Sequence, residues 1–132
     1  MKRRDFLGFL AGAAVFSGFC WAGLSAVRYF LPPPPRRVLI READWPSAQK
    51  VKVGAEYFLV RLPGGEIRAF SRRCPHLGCV VNYQPRLGIF LCPCHQSRFS
   101  LLGAKLAGPA PRGLYPLKWE RTEGGIILEI PG

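Results

Sequence analysis

The sequence of 132 residues is short of histidine and of acidic residues, with two His and eight Asp or Glu against nineteen Lys or Arg. Beyond the N-terminal segment it has no stretch with the periodicity of an amphipathic helix, no internal repeat and no disordered tract. These absences exclude a helical bundle, a repeat protein and a disordered chain. The 13 Pro and 15 Gly are instead typical of a turn-rich β domain, and we expect an all-β domain over residues 38–132.

The shortage of acids leaves a formal net charge of +11, which raises the question of nucleic-acid binding. Residues 1–37 contain six basic residues and one acid, and residues 38–132 contain thirteen and seven, so the predicted domain carries only +6. Its basic residues are scattered along the sequence and there is no nucleic-acid motif, so nucleic acid is not an expected partner. A face that docks an acidic partner or anionic headgroups is the preferred explanation.

One long hydrophobic run, residues 6–27, contains 22 residues without a charge. As a helix it would extend about 33 Å, enough to cross a hydrocarbon core of about 30 Å. A cleaved signal peptide and an uncleaved anchor both fit such a segment, but the run exceeds the usual signal core of about 7–15 residues. We therefore predict an uncleaved transmembrane anchor over residues 1–31, in contact with membrane lipid.

The sequence RRDFL at residues 3–7, just before this run, resembles the twin-arginine export signal. Ordinary positive flanking of a membrane segment is the alternative. Both place the N-terminus in the cytoplasm and the domain on the outer, periplasmic side of a bacterial cytoplasmic membrane. Four prolines follow the run, and residues 32–37 are predicted to form an extended hinge or else only to stop the helix.

Alternating apolar patterns predict several strands in the domain. One pair of strands flanks Pro63-Gly64-Gly65 and another flanks Thr122-Glu123-Gly124-Gly125, so each pair is expected to form a hairpin. The predicted strands cover residues 56–62, 66–71, 80–83, 89–91, 117–121 and 126–130.

Four of the five cysteines and both histidines lie between positions 74 and 95. The first motif, residues 74–79, has the sequence CPHLGC, and the second motif, residues 92–97, has the sequence CPCHQS. Each motif supplies one thiolate, one imidazole and a further cysteine. Two loops that present soft sulfur and borderline nitrogen can close a site with four ligands. The candidate ligands are Cys74, His76, Cys92 and His95.

Three other structures use the same residue types. Two disulfides would occupy the four cysteines but leave both histidines unexplained. A structural zinc site accepts two Cys and two His, but such sites usually pair like with like, and Cys79 and Cys94 would be surplus. The histidines can also be ordinary core residues. The residues alone leave these alternatives open.

The two motifs resemble those of Rieske iron–sulfur proteins, and the likeness is closest to the Rieske subunit of cytochrome bc-type quinol:cytochrome c oxidoreductases. The resemblance implies a Rieske-type antiparallel β domain with a small cluster-binding subdomain at about residues 72–111. It also implies a 2Fe–2S cluster in which Cys74 and Cys92 bind one iron and His76 and His95 bind the other.

The same resemblance assigns roles to residues around the ligands. Cys79 and Cys94 would form a disulfide between the motifs, which requires an oxidising compartment. Residues 108–111, with the sequence GPAP, are similar to the proline loop that covers the cluster, and Leu77 is similar to the leucine that shields it. Ser97 matches a serine whose hydroxyl bonds to a bridging sulfide and raises the reduction potential.

Two positions depart from the family pattern. Gln96 stands where Gly is usual, which puts the local turn in doubt. Phe99 stands where high-potential members have a tyrosine whose hydroxyl bonds a ligand sulfur. The missing donor predicts a lower reduction potential, which would suit menaquinol as the electron donor.

The function implied is electron transfer as one subunit of a membrane quinol:cytochrome c oxidoreductase. His76 or His95 would accept a hydrogen bond from quinol and take one proton with one electron, because imidazole is a metal ligand that titrates near neutral pH. The electron would pass to a cytochrome c-type haem, and a cytochrome b-type membrane subunit would complete the complex. With no haem site or quinone pocket evident, the chain is not expected to be catalytic alone.

Functions of other classes stay open at this point. The small Rieske subunit of another exported oxidoreductase, such as arsenite oxidase, would use the same motifs for electron transfer. Aromatic-ring oxygenase components resemble Rieske domains without the extra Cys pair, and they need a catalytic iron domain. A purely structural metal module is the remaining alternative.

Overall fold

The computed structural model describes residues 2–45 and 48–132. Met1 falls within the predicted anchor, and Pro46 and Ser47 fall within the predicted β domain; these three lie outside the described residues. The chain divides into two compact units, an N-terminal one up to Pro34 and a second one over residues 35–131.

The described residues of the N-terminal unit include a single helix, α1, which spans Arg3–Phe30 and has no buried residue. Its most apolar 18-residue window has a mean hydropathy of 1.7, and by length and composition the helix can cross a membrane. The helix ends where Leu31 turns to an extended conformation with ψ of 129°. Prolines follow at once, and because they have no N–H to donate they cannot prolong the helix.

The described residues of the second unit form ten strands in three antiparallel sheets, with orders β1-β10-β9, β2-β3-β4 and β5-β6-β7-β8. The all-β antiparallel domain preceded by one apolar helix is therefore confirmed. A short 3₁₀ helix covers Glu42–Asp44. The strands are β1 Arg36–Arg41, β2 Val51–Val53, β3 Tyr57–Arg61, β4 Ile67–Ser71, β5 Asn82–Gln84, β6 Ile89–Leu91, β7 Arg98–Ser100, β8 Lys105–Ala107, β9 Lys118–Thr122 and β10 Gly125–Ile130.

Both predicted hairpins form, since β3 pairs with β4 and β9 pairs with β10. Most predicted strand boundaries lie within one residue of the observed ones, and two boundaries differ by two residues. The strand expected over residues 80–83 begins only at Asn82, because Val80 instead makes an isolated bridge to Arg73. The predicted hinge over residues 32–37 is too long, because Arg36 already lies opposite Ile130 in β1. Unlike the prolines, Arg36 has an N–H to donate to the sheet.

Strand β3 separates two hydrophobic cores. Successive side chains of a strand point to opposite faces, so Phe58 and Val60 pack into one core while Tyr57 and Leu59 pack into the other. The first core lies under the two motifs and contains the stacked rings of Phe58 and Phe90, whose centroids are 4.2 Å apart. It is this core that receives the cysteines of the predicted site.

Candidate metal centre

The two motifs fold into loops with the same backbone hydrogen bonds. In the first motif the Cys74 N–H donates to the carbonyl of Cys79 over 2.8 Å, and the Gly78 N–H donates to the carbonyl of Cys74 over 2.9 Å. In the second motif the Cys92 N–H donates to Ser97 and the Gln96 N–H to Cys92, over 2.8 and 3.0 Å. Each loop therefore presents its cysteine and histidine from the same framework.

The repeated framework explains the departure at Gln96. Gly78 and Gln96 occupy equivalent positions, and both have positive φ, +78° and +59°. The turn is thus the same in both motifs, which resolves the doubt about the second. A non-glycine residue in this region costs on the order of 1 kcal/mol. The Gln96 side chain partly offsets the cost by donating to the Pro93 carbonyl over 3.4 Å.

The sulfur atoms of the ligand candidates point inward and the imidazoles lie outside. Cys74 and Cys92 are each 2% exposed and belong to the first core. His76 is partly buried and His95 is exposed. The two imidazole rings stand edge to face with their centroids 4.8 Å apart. Two adjacent thiols thus lie beneath two adjacent imidazoles.

A disulfide between Cys79 and Cys94 joins the two loops, with the Cα atoms 6.6 Å apart. The sulfur atoms of these two residues and of Cys92 all lie within 4.8 Å of one another. Because these two sulfur atoms are bonded to each other, neither is a thiolate that can bind a metal. The disulfide therefore joins the loops and supplies no ligand. Among the described residues the free thiols are those of Cys74, Cys92 and the exposed Cys20 of α1.

Burial is the main reason why the pKa of the Cys74 thiol is raised, and the nearby Cys92 thiol raises it further. The backbone N–H groups of His76 and Leu77 act in the opposite direction. Two buried thiols in contact are unfavourable as thiolates unless a cation shares the site. Two sulfurs and two nitrogens are also the mixed donor set of a Rieske centre. The residues therefore fit a 2Fe–2S cluster.

The third loop around the site, residues 108–111, is attached to the second motif through Ser97. The Ala110 N–H donates to the Ser97 hydroxyl oxygen over 3.1 Å, and both residues are fully buried. Pro109 and Pro111 have no N–H, so the backbone N–H of Ala110 is the one donor that this Pro-Ala-Pro segment offers. Sequence reasoning assigned Ser97 to the cluster alone and missed this second role.

A second residue that sequence reasoning missed is Arg72, which precedes the first motif. Its guanidinium donates to the carbonyl of Gly54 over 2.7 Å, to the side-chain oxygen of Asn82 over 3.2 Å and to the carbonyl of Val81 over 3.1 Å. The three bonds hold both ends of the first loop against the turn between β2 and β3. Charged donors make such bonds stronger than neutral ones.

The two remaining predicted residues lie on opposite sides of the loops. Leu77 is 70% exposed at the outer end of the first motif. Phe99 is fully buried in β7 and shares the first core with Cys74 and Cys92. A hydroxyl added to this ring would therefore lie within the core that contains the thiols.

Gly108 is expected to be intolerant of a side chain. A Cβ at this position would lie 2.4 Å from the Cα of Ser97, which is backbone that cannot move aside. Gly64 has the same φ of +93° but open space around it, so it is the matched control. We expect Gly64→Ala to lose about 1–2 kcal/mol of unfolding free energy from φ alone. Gly108→Ala should lose a further ~1–3 kcal/mol.

Urea unfolding of both variants measures this difference. Displacement of the proline loop should also speed the bleaching of the cluster in Gly108→Ala and leave it unchanged in Gly64→Ala. Equal stability of the two variants would show that the proline loop does not pack on Ser97 as described.

The fold and the loops define a small antiparallel β domain that offers two thiols and two imidazoles to a metal cluster. A family model described as "Rieske [2Fe-2S] domain" matches residues 37–118. The chain therefore belongs to the Rieske [2Fe-2S] domain family, whose members bind a 2Fe–2S cluster. Structural zinc, a pair of disulfides and ordinary core histidines are thereby set aside.

Three similar proteins extend the comparison. The chain is 30% identical over 135 residues to the cytochrome b6-f complex iron-sulfur subunit of Chlorobaculum thiosulfatiphilum, covering 96% of this chain and 74% of that one. The plasma membrane Rieske protein PetC3 from Synechocystis PCC 6803 matches with a TM-score of 0.56 and 30% identity, over 70% of this chain and 97% of that one. A chain of a hyperthermophilic respiratory Complex III matches with a TM-score of 0.53 and 25% identity, over 90% and 98%.

Proposed function

We propose that this chain is the Rieske electron-transfer subunit of a membrane quinol:cytochrome c oxidoreductase. One observation carries the proposal: two adjacent imidazoles lie outermost over two buried thiols, in loops joined by a disulfide. The names of the relatives support a subunit of a cytochrome b6-f or bc type complex. The chain would serve as the redox subunit and would not catalyse quinol oxidation alone.

The four ligand assignments are those that membership of the Rieske family implies. Cys74 and Cys92 would hold one iron from the buried side, and His76 and His95 would hold the other from the outer side. The cluster, when bound, accepts and releases one electron. The ring nitrogen of His76 or His95 that is not needed for iron would accept a hydrogen bond from a quinol hydroxyl and take its proton. Leu77 would exclude water beside them.

The N-terminal segment has a proposed role in placing this site. Helix α1 would anchor the chain in a bacterial cytoplasmic membrane, with the domain on the outer side. The sequence RRDFL at residues 3–7 would direct export by the twin-arginine route, which transports proteins already folded around a cofactor. The prolines at positions 32–35 would form the hinge that lets the domain move between donor and acceptor.

Purification of the full chain from membranes with its native partners tests the proposal. A b-type haem and a c-type haem should copurify with the chain, and quinol should reduce its cluster. Copurification with a molybdenum-containing oxidase and no b-type haem would instead identify the small subunit of another exported oxidoreductase and overturn the proposal.

The Phe99→Tyr variant should have a higher reduction potential than the native protein. A tyrosine hydroxyl in this position can donate to a ligand sulfur, which stabilises the more negative reduced cluster. A hydrogen bond of about 1 kcal/mol corresponds to about 40 mV for one electron. Redox titration monitored by EPR measures the shift. Phe99→Leu, which adds no donor, is the control and should not raise the potential; an unshifted potential in Phe99→Tyr would disprove the role assigned to this position.

A further inference from the structure

The acidic residues of the domain are segregated from its cluster-binding part. Residues 67–119 contain all three loops around the site, and they contain no Asp or Glu. The same stretch contains eight basic residues, whereas residues 38–66 and 120–132 contain five basic and seven acidic ones. The formal net charge is thus +8 for residues 67–119 and −2 for the rest of the domain. Although the basic residues look scattered along the sequence, the acidic residues that could balance them are missing from the stretch that contains the three loops.

Three exposed arginines stand at the bases of the three loops. Arg73 directly precedes Cys74, Arg98 directly follows Ser97, and Arg112 directly follows the proline loop. We call Arg73, Arg98 and Arg112 the arginine collar. One member therefore adjoins each segment that encloses the site.

The collar arginines are not neutralised. No ion pair between described residues involves Arg73, Arg98 or Arg112. Two collar side chains nevertheless have defined neighbours. The Arg73 Nε atom lies 3.7 Å from where a Cβ of Gly78 would be, so its side chain follows the first motif. The guanidinium of Arg112 lies over the Tyr115 ring, 5.1 Å from its centroid.

An exposed apolar side chain, that of Leu77, lies in the first motif four positions after Arg73. Leu77 is 70% exposed at the outer end of the first motif, beside the imidazoles. An apolar centre with a polar or charged rim is the usual anatomy of a protein–protein interface. A rim of one sign selects a partner of the opposite sign and raises its association rate, and salt screens this attraction.

We propose that the arginine collar docks the electron acceptor, a redox protein whose haem edge is ringed by Asp and Glu side chains. The proposal rests on the proposed function, because the partner that must approach the imidazole end is the one that removes the electron. One electron leaves the reduced cluster and converts a ferric haem of the acceptor to the ferrous state. An anionic lipid surface, which would cover this end and block the electron's exit, is the less favoured occupant.

Stopped-flow oxidation of the full, cluster-loaded chain in neutral detergent tests the proposal. The oxidants are one acidic and one basic soluble c-type cytochrome of similar potential. We expect the rate constant with the acidic cytochrome to fall by about tenfold or more between 10 and 300 mM salt, the order of size of electrostatic steering. With the basic cytochrome the rate constant should rise with salt.

A matched pair of triple variants locates the effect. Arg73→Gln/Arg98→Gln/Arg112→Gln removes the collar, and Arg41→Gln/Lys50→Gln/Arg121→Gln removes three exposed charges from the other part of the domain. At low salt the collar variant should react about tenfold more slowly with the acidic cytochrome, and the control variant should change by less than about twofold. Salt dependence of the native protein tests the proposal even if the collar variant does not fold.

The outcomes separate this inference from the proposed function. If the chain holds no reducible cluster, the proposed function fails. If the cluster is reducible but both cytochromes show the same salt dependence, or both triple variants slow equally, only the collar inference is overturned. A salt and collar dependence that appears in proteoliposomes with anionic phosphatidylglycerol, and is absent in neutral detergent, would assign the collar to lipid headgroups and also overturn it.

Discussion

The His95→Ala and Cys92→Ser variants are expected to lose the 2Fe–2S cluster. In the proposed ligand set the second motif supplies one donor to each iron, so either change would leave an iron with a single protein ligand. Cys92 is 2% exposed within the first core, and no other free thiol of the described residues lies in the loops besides Cys74. The visible absorption and the EPR signal of the reduced protein should therefore both disappear.

Cys20→Ser is the matched control for this experiment. Cys20 is a free thiol on the exposed surface of α1, outside both motifs. Its removal should leave iron content and spectra at the native level. A Cys92→Ser protein with native iron content would contradict the ligand assignment, and loss of the cluster in Cys20→Ser would point to a ligand set that includes the helix.

Removal of the disulfide in Cys79→Ser/Cys94→Ser should destabilise the loops by about 3 kcal/mol. The two cysteines are 15 residues apart, and a cross-link that closes a loop of this size restricts the unfolded chain by about that amount. The same bond is the direct covalent link between the motifs, so its loss should also shorten the lifetime of the cluster. Urea unfolding and the rate of bleaching in air measure the two effects.

The native protein treated with a strong thiol reductant should approach the stability of the double variant, while the variant itself should not respond to reductant. Unchanged bleaching and unfolding in the double variant would show that each loop holds its ligands without the disulfide. That result would leave the cluster assignment intact but would show that the disulfide does not stabilise the cluster.

The thiols and the imidazoles of the candidate metal site lie in different environments. The thiols belong to the same core as Phe58 and Phe90, whereas the imidazoles lie at the surface, 4.8 Å apart. Water is thus kept from the two thiols, whereas the imidazole side is open to solvent. Because both loops repeat one hydrogen-bond framework, each needs a residue with positive φ, and Gly78 and Gln96 provide it.

Much of this arrangement could be predicted from the sequence because its residues are of special types at close spacing. The cysteines and histidines at 74–95 indicated two loops and one metal centre, and Pro-Gly-Gly at 63–65 indicated a hairpin. The apolar run at 6–27 indicated the helix. In each of these cases the pattern lies within a short stretch of sequence.

The features that were not predicted depend on contacts between distant residues. Strands β1, β2, β7 and β8 were not predicted. The last three have three residues each, too few to show an alternating pattern, whereas the equally short β6 was found as an uninterrupted apolar run. Strand β1 begins inside the predicted hinge, and its partner β10 lies at the other end of the domain sequence. Arg72 finds its acceptors at Gly54 and Asn82 only after the sheets have assembled. The charge polarity of the domain was missed for another reason, since it lies in the absence of acids over residues 67–119 and not in any motif.

Low-temperature EPR of the reduced full chain, with metal analysis of the same sample, tests the central claim most directly. We expect two iron atoms per chain, as in the [2Fe-2S] family, and the rhombic signal of a cluster with two sulfur and two nitrogen ligands. A colourless protein that contains zinc or no metal between the two motifs would contradict it.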